Sequence, residues 1–222
     1  MASPTIEDIV NYLSKFVLEE RINLMKDKLS HRTSYLTICL ENIYQSQNAS
    51  AVLRSAEAFG IQNVHIVESI NQYNVNPDIA LGSDKWINIQ KHNSAENLVE
   101  TLRNKGFRII ATTPKKEASS LEEFDLSAGK AAIFFGTELT GLSDYVIDNA
   151  DEYLYIPMHG FVESLNVSVS AAVTMYTLTR KLRESSLQWT LSNDEKNVVL
   201  LDWLKKVVRL SDKIINHFCE NF

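Results

Sequence analysis

Apolar positions in the first thirty residues recur at helical spacing: Ile6, Ile9, Val10, Leu13, Phe16, Val17, Ile22, Met25 and Leu29, set against a charged face. One helix is predicted from Ile6 to about Leu29, with Ser3 before Pro4 as its start signal. From about Tyr35 the rhythm changes. TICLENI, NVHIVES, FRIIATT, KAAIFFG and DEYLYIP are short apolar runs bounded by polar residues or turns, and they read as buried strands. Between them, Asn48 to Phe59, Ser94 to Asn104 and Ser164 to Leu182 read as helices. Strands alternating with helices predict parallel βαβ units in an α/β domain. A last helix is predicted from Glu195 to Phe218, where Val198, Val199, Leu201, Leu204, Val208, Leu210 and Ile214 form a wide apolar band.

Composition narrows the class. A chain of 222 residues buries a large core without a disulfide or metal staple. Cys39 and Cys219 are far apart and outside any C-x-x-C pattern, which argues against a zinc ribbon, a redox motif or a secreted scaffold and fits a reducing compartment. No run of about 18 apolar residues is present, so no membrane span is expected. The first ten residues lack a basic-then-apolar export pattern, so a cytoplasmic location is expected. The formal net charge of −6 counts against a general polyanion binder. The acidity is concentrated in the middle of the chain. Arg180-Lys181-x-Arg183 and Lys205-Lys206-x-x-Arg209, near the C-terminus, fall on predicted helices, either as solvated faces or as nucleic-acid contacts.

Absent motifs exclude several chemistries. No G-x-G-x-x-G follows a strand, and there is no G-x-x-x-x-G-K-[ST], H-E-x-x-H or G-x-S-x-G. The five histidines are scattered without metal-ligand spacing, and no metal is expected.

Three segments carry candidate chemistry. Asn48-Ala-Ser-Ala-Val-Leu-Arg54 opens a helix that stops at Gly60; taken alone, it reads as readily as a cap (Asn48) with a surface cation (Arg54) as it does as a functional pair. Phe134-Phe-Gly136-Thr-Glu138-Leu-Thr-Gly141-Leu-Ser143 ends a strand between two glycines, which permit close backbone approach, and Ser143 is placed to cap the next helix. Ile156-Pro-Met158-His-Gly-Phe-Val-Glu-Ser164-Leu165-Asn166-Val-Ser168 leads from a strand into a helix whose first N–H groups are free to hold an anion. Ser164 is most simply that helix's N-cap.

In this order the segments resemble the three motifs of SPOUT-superfamily RNA 2′-O-ribose methyltransferases of the SpoU/TrmH type: N-x-S-A-x-L-R-x-x-x-A-x-G, F-G-x-E-x-x-G-(LIV)-S and I-P-M-x-G-x-V-x-S-L-N-V-S-V. The resemblance covers about residues 35–184. Flanking stretches Glu20–Leu29 and Leu201–Lys206, with Gly82-Ser-Asp-Lys-Trp86, are similar to the tRNA (guanosine(18)-2′-O)-methyltransferases of that family.

The resemblance implies an α/β fold: a parallel sheet with helices on both faces and a C-terminal deep trefoil knot. It implies a core at 35–184, with helical extensions at 1–34 and 185–222. S-adenosylmethionine is expected against Thr113, Gly136, Gly141, Ile156, Met158 and Leu165. The family acts as a homodimer whose site takes residues from both subunits, on guanosine 18 of tRNA in the group named. Arg54 is the expected catalytic residue, with Asn48, Glu138, Ser164 and Asn166 orienting the ribose and cofactor. Because a guanidinium is a permanent cation, phosphate clamping suits it better than proton abstraction. RNA contacts are expected from Arg21, Lys26, Arg32, Arg180, Lys205 and Lys206. The alternatives are a ribosomal RNA methyltransferase, a non-catalytic RNA-binding dimer and, most remotely, a nucleotide-dependent oxidoreductase.

Overall fold

The computed structural model describes residues 3–69, 77–113 and 118–222. In chain order its elements are α1 (Ile6–Ser14), α2 (Glu19–Ser30), β1 (Leu36–Glu41), α3 (Ser46–Ala58), β2 (Asn63–Val67), α4 (Pro77–Ala80), β3 (Asn88–His92), α5 (Ala95–Asn104), β4 (Arg108–Thr112), β5 (Ser119–Ser120), β6 (Ala131–Phe135), α6 (Asp144–Asp148), β7 (Glu152–Tyr155), α7 (Val167–Glu184), α8 (Asn193–Val207) and α9 (Ser211–Glu220). They form two compact units: Thr33–Trp189, and Met1–Arg32 with Thr190–Phe222.

Thr33–Trp189 is built on a seven-stranded sheet of order β3-β2-β1-β6-β4-β7-β5, parallel at every pairing. The period of two along each strand divides the core. Leu36, Ile38 and Leu40 of β1, with Ala131, Ile133 and Phe135 of β6, pack under Val52 and Leu53 of α3 and Met175 and Leu178 of α7. The intervening Cys39, Ala132 and Phe134 face Leu98, Val99 and Leu102 of α5 and Val146 of α6. Central strands buried on both faces read as unbroken apolar runs, which is why these were legible. The Cys39 thiol is fully buried, and desolvation pushes its pKa well up. The chain steps outward from β1 to β3, and β6 then returns to the other side of β1. In open parallel sheets such a reversal marks the ligand crevice, at the carboxyl ends of the strands.

Two strands escape the apolar pattern. β3 is a polar edge strand with Asn88 and Lys91 exposed, and β5 has only two residues.

In the helical unit, the predicted 6–29 helix is two helices. Thr5, not Ser3, caps α1 through a capping box with Asp8, and the Thr5 hydrogen bonds hold the Asp8 carboxyl below its usual range. Ser14 Oγ donates back to Val10 O at 2.7 Å, and Leu18 turns to ψ 138° before the acidic first turn of α2. The apolar rhythm runs straight through this corner, and no glycine or proline marks it. The predicted 195–218 helix likewise divides into α8 and α9, at Leu210 with φ 59°. Leu13, Met25, Leu29, Leu200, Trp203 and Leu204 form the core of this unit.

His65 on β2 and His92 on β3 are diagonal neighbours on adjacent strands, with Nδ1 and Nε2 3.0 Å apart. Burial, then the charges of His92 and Lys105, depress His65 to about 3, and burial and Lys105 also lower His92. The folded state therefore favours neutral rings. Below the ordinary value of 6.5 the unfolded chain binds more protons, so this stability is present above that pH and is lost as pH falls toward 3. Denaturant unfolding at pH 8 and pH 5 is expected to differ by about 2 kcal/mol from His65 alone. A His65→Leu variant is expected to flatten the profile.

Candidate active site

Asn48, Glu138, Ser164, Asn166 and the expected cofactor residues gather at the carboxyl ends of β1, β4, β6 and β7. Asn48 is the third residue of α3, not its cap; Gln45 holds the N-cap position without a side-chain bond. Asn48 is buried, and its Nδ2 donates to Glu138 Oε1 at 2.9 Å. Asn166 Nδ2 donates to the same oxygen at 2.5 Å and to Asn48 Oδ1 at 3.2 Å. Asn166, not Ser164, caps α7: its Oδ1 accepts from Ser168 N at 2.9 Å and Ser168 Oγ at 2.5 Å. One carboxylate and two amides thus join three segments that are distant in sequence. The second oxygen of Glu138 has no hydrogen bond among the described residues and is left to accept one.

The loop holding Glu138 is closed on itself. Thr137 and Gly141 exchange backbone hydrogen bonds of 3.0 Å in each direction, and Thr140 N donates to Thr137 Oγ1 at 3.0 Å. Gly141 takes φ 72°, in the left-handed region. A Cβ on Gly136 would lie 2.1 Å from the Gly141 carbonyl carbon, so only glycine fits there.

Glu41, which the sequence reading did not single out, anchors the loop's far end. It is buried at the end of β1 and accepts from Ser143 N at 2.8 Å and Ser143 Oγ at 2.7 Å. Ser143 also caps α6 as expected, its Oγ accepting from Val146 N. An acid ending an otherwise apolar strand was the available signal.

Two cavities adjoin this constellation. The smaller, about 230 Å³, is lined by all six residues expected to hold the cofactor: Thr113, Gly136, Gly141, Ile156, Met158 and Leu165. Glu138 and Ser164 also reach it. The larger, about 610 Å³, lies between the β1–α3 turn (Glu41 to Gln45, Asn48) and the loop from Thr137 to Asp144. Thr137, Glu138, Gly141 and Val167 line both cavities.

Arg54 is not brought to this cluster. It is exposed on α3, lines neither cavity, and makes no hydrogen bond or ion pair among the described residues.

The expected RNA contacts divide sharply. Arg21 and Lys26 are exposed on α2. Arg32 departs from expectation: it is buried, with its guanidinium 5.3 Å from the Trp203 ring centre, and is withdrawn from any surface phosphate. Arg180 lies 3.9 Å from Glu184, Lys205 3.8 Å from Asp212 and Lys206 2.6 Å from Asp202. Such exposed pairs are weak and yield readily to a stronger anion. Lys181 instead donates to the carbonyls of Leu121, Glu122 and Phe124, and Arg183 to that of Phe59. Among the described residues no three metal-ligating side chains cluster, and no helix is long and apolar enough to cross a membrane.

Residues 35–176 match the model of the SpoU rRNA Methylase family. The tRNA (guanosine(18)-2′-O)-methyltransferase of Borreliella burgdorferi is 43% identical over 200 residues, covering 90% of this chain and 91% of its own. The enzyme of the same name from Thermus thermophilus is 33% identical over 190 residues, covering 85% and 97%. The crystal structure of the Aquifex aeolicus TrmH/SpoU tRNA modifying enzyme superposes with a TM-score of 0.76 at 29% identity, covering 86% of this chain and 98% of that one. The three motifs, the parallel sheet that brings them together and these relatives agree that the chain belongs to the SpoU methylase family.

Proposed function

We propose that this protein transfers a methyl group from S-adenosylmethionine to a ribose 2′-hydroxyl of tRNA, that of guanosine 18 in the D-loop. The observation that carries the reading is that Asn48 and Asn166 hold Glu138, which reaches a cavity lined by all six residues expected to hold the cofactor. The names of the tRNA-modifying relatives, which span nearly the whole chain, direct it to tRNA.

The smaller cavity suits the cofactor. Leu154, Ile156, Met158 and Leu165 offer apolar wall, Ser164 and Thr113 offer polar groups, and Gly136 gives a backbone surface free of Cβ. When bound, S-adenosylmethionine supplies an activated methyl on a sulfonium leaving group. The chain's own residues then have to hold the hydroxyl in line and manage its developing charge. The free oxygen of Glu138 accepts from the ribose hydroxyl, and Asn48 and Asn166 fix that carboxylate.

Arg54 is outside this site in its own protomer, so we place it in the site of a second copy, where it clamps the phosphate beside the reacting sugar. The partner face is on α7. Val169, Val173 and Tyr176 are exposed at helical spacing, and Phe161 and Val162 stand fully or largely exposed nearby in the chain. The homodimer, the trefoil knot of the core and a cytoplasmic location belong to this reading. So do the divisions 1–34, 35–184 and 185–222, with Arg21 and Lys26 of the helical extension meeting RNA.

The deciding assay is transfer of labelled methyl to tRNA and to ribosomal RNA, followed by mapping of the modified nucleotide. Label at guanosine 18 supports the reading, and label confined to ribosomal RNA redirects it to that substrate. Arg54→Ala is expected to keep cofactor affinity, measured by calorimetry, while turnover falls by roughly 10²–10³-fold. Near-wild-type rates at saturating RNA would remove Arg54 from the mechanism. Gly136→Ala is expected to lower unfolding stability by about 1–3 kcal/mol or more and to abolish measurable cofactor binding.

A further inference from the structure

The ribose reading leaves the cavity of about 610 Å³ unexplained. We infer that this cavity seats the nucleobase of the methylated nucleotide, with Asp144 reading the donor edge of a guanine and Tyr44 covering its ring. The inference rests on the tRNA reading above and deepens it.

Connectivity comes first. The base of a nucleotide is attached to C1′, the neighbour of the carbon that bears the 2′-hydroxyl. A hydroxyl held by Glu138 therefore puts the base only three bonds away, against a wall that Glu138 shares. Asn48, Thr137, Glu138 and Gly141 all line the larger cavity.

Charge then separates base from phosphate. The described lining holds Glu41, Glu138 and Asp144 and not one lysine or arginine. Such a surface repels phosphate and welcomes a neutral group rich in N–H donors. Guanine alone among the four bases presents two adjacent donors, N1–H and the 2-amino group, in the spacing that fits a carboxylate.

The three carboxylates are not equivalent. Glu41 is held by Ser143, and Glu138 by Asn48 and Asn166. Asp144, exposed at the first residue of α6, makes no hydrogen bond or ion pair among the described residues. Exposure of this kind keeps its substitution from disturbing the fold. Tyr44 is 79% exposed at the β1–α3 turn and stacks on no aromatic ring among the described residues. A splayed-out RNA base stacks on such a ring.

The test uses the full-length protein and tRNA transcripts carrying guanosine, inosine or adenosine at the methylated position. Inosine lacks only the 2-amino group. The wild type is expected to prefer guanosine over inosine by roughly tenfold or more in kcat/KM. Asp144→Ala is expected to bring that ratio close to one with unchanged cofactor affinity. Tyr44→Ala is expected to raise KM for the RNA by about tenfold, with Tyr44→Phe and Tyr44→Trp restoring it. A wild type indifferent to inosine, an Asp144→Ala protein with the wild-type ratio, or a Tyr44→Phe protein as weak as Tyr44→Ala overturns the inference alone. A wild type that methylates none of the transcripts defeats the tRNA reading, and the inference falls with it.

Discussion

One oxygen of Glu138 accepts hydrogen bonds from two side-chain amides, Asn48 on α3 and Asn166 at the head of α7. Hydrogen bonds to a charged group each contribute roughly 1.5–3 kcal/mol, and more is lost if one partner is removed and the other left buried. Much of the surrounding architecture keeps that oxygen in place. The Thr137–Gly141 bridge closes the loop, and the bare Cα of Gly136 lets the two strands of the loop meet. Glu41, grown from the neighbouring strand, holds the loop's exit through Ser143. The sheet reversal beside β1 is what makes these segments neighbours at all.

The electrostatics of an acidic protein that meets a polyanion follow from where its cations are tied. Lys181, Arg183 and Arg32 look like surface charges in the sequence, yet each is taken up inside its own unit, by carbonyl oxygens or an aromatic face. Arg21, Lys26 and Arg54 remain open to solvent. Proximity in sequence is thus a poor guide to a binding surface, because a long cationic side chain is as useful for closing a fold as for holding phosphate.

Sequence pattern revealed the parts of this molecule in which one physical demand dominates. Central strands must be apolar on both faces, so β1, β2, β4 and β6 were evident; β7 showed itself through the short run DEYLYIP, although only Leu154 of it is buried. β3 was not evident, because an edge strand is free to be polar. The corners at Leu18 and Leu210 were hidden because apolar residues continue across them. At the site, spacing and motif brought Asn48, Glu138 and Asn166 to attention, but not which of them caps a helix: the cap of α7 is Asn166, two residues after Ser164. Arg54 was found as a residue and not as a location, since a single chain does not place it beside the other four.

Asn166 has two duties in one side chain. Its oxygen fastens the opening turn of α7, and its amide steadies Glu138 and Asn48. Helix ends are the first parts of a helix to fray. When this end loosens, the anchor of the carboxylate loosens in the same motion. The order of this hydrogen-bonded cluster is therefore coupled to the melting of a single helical turn.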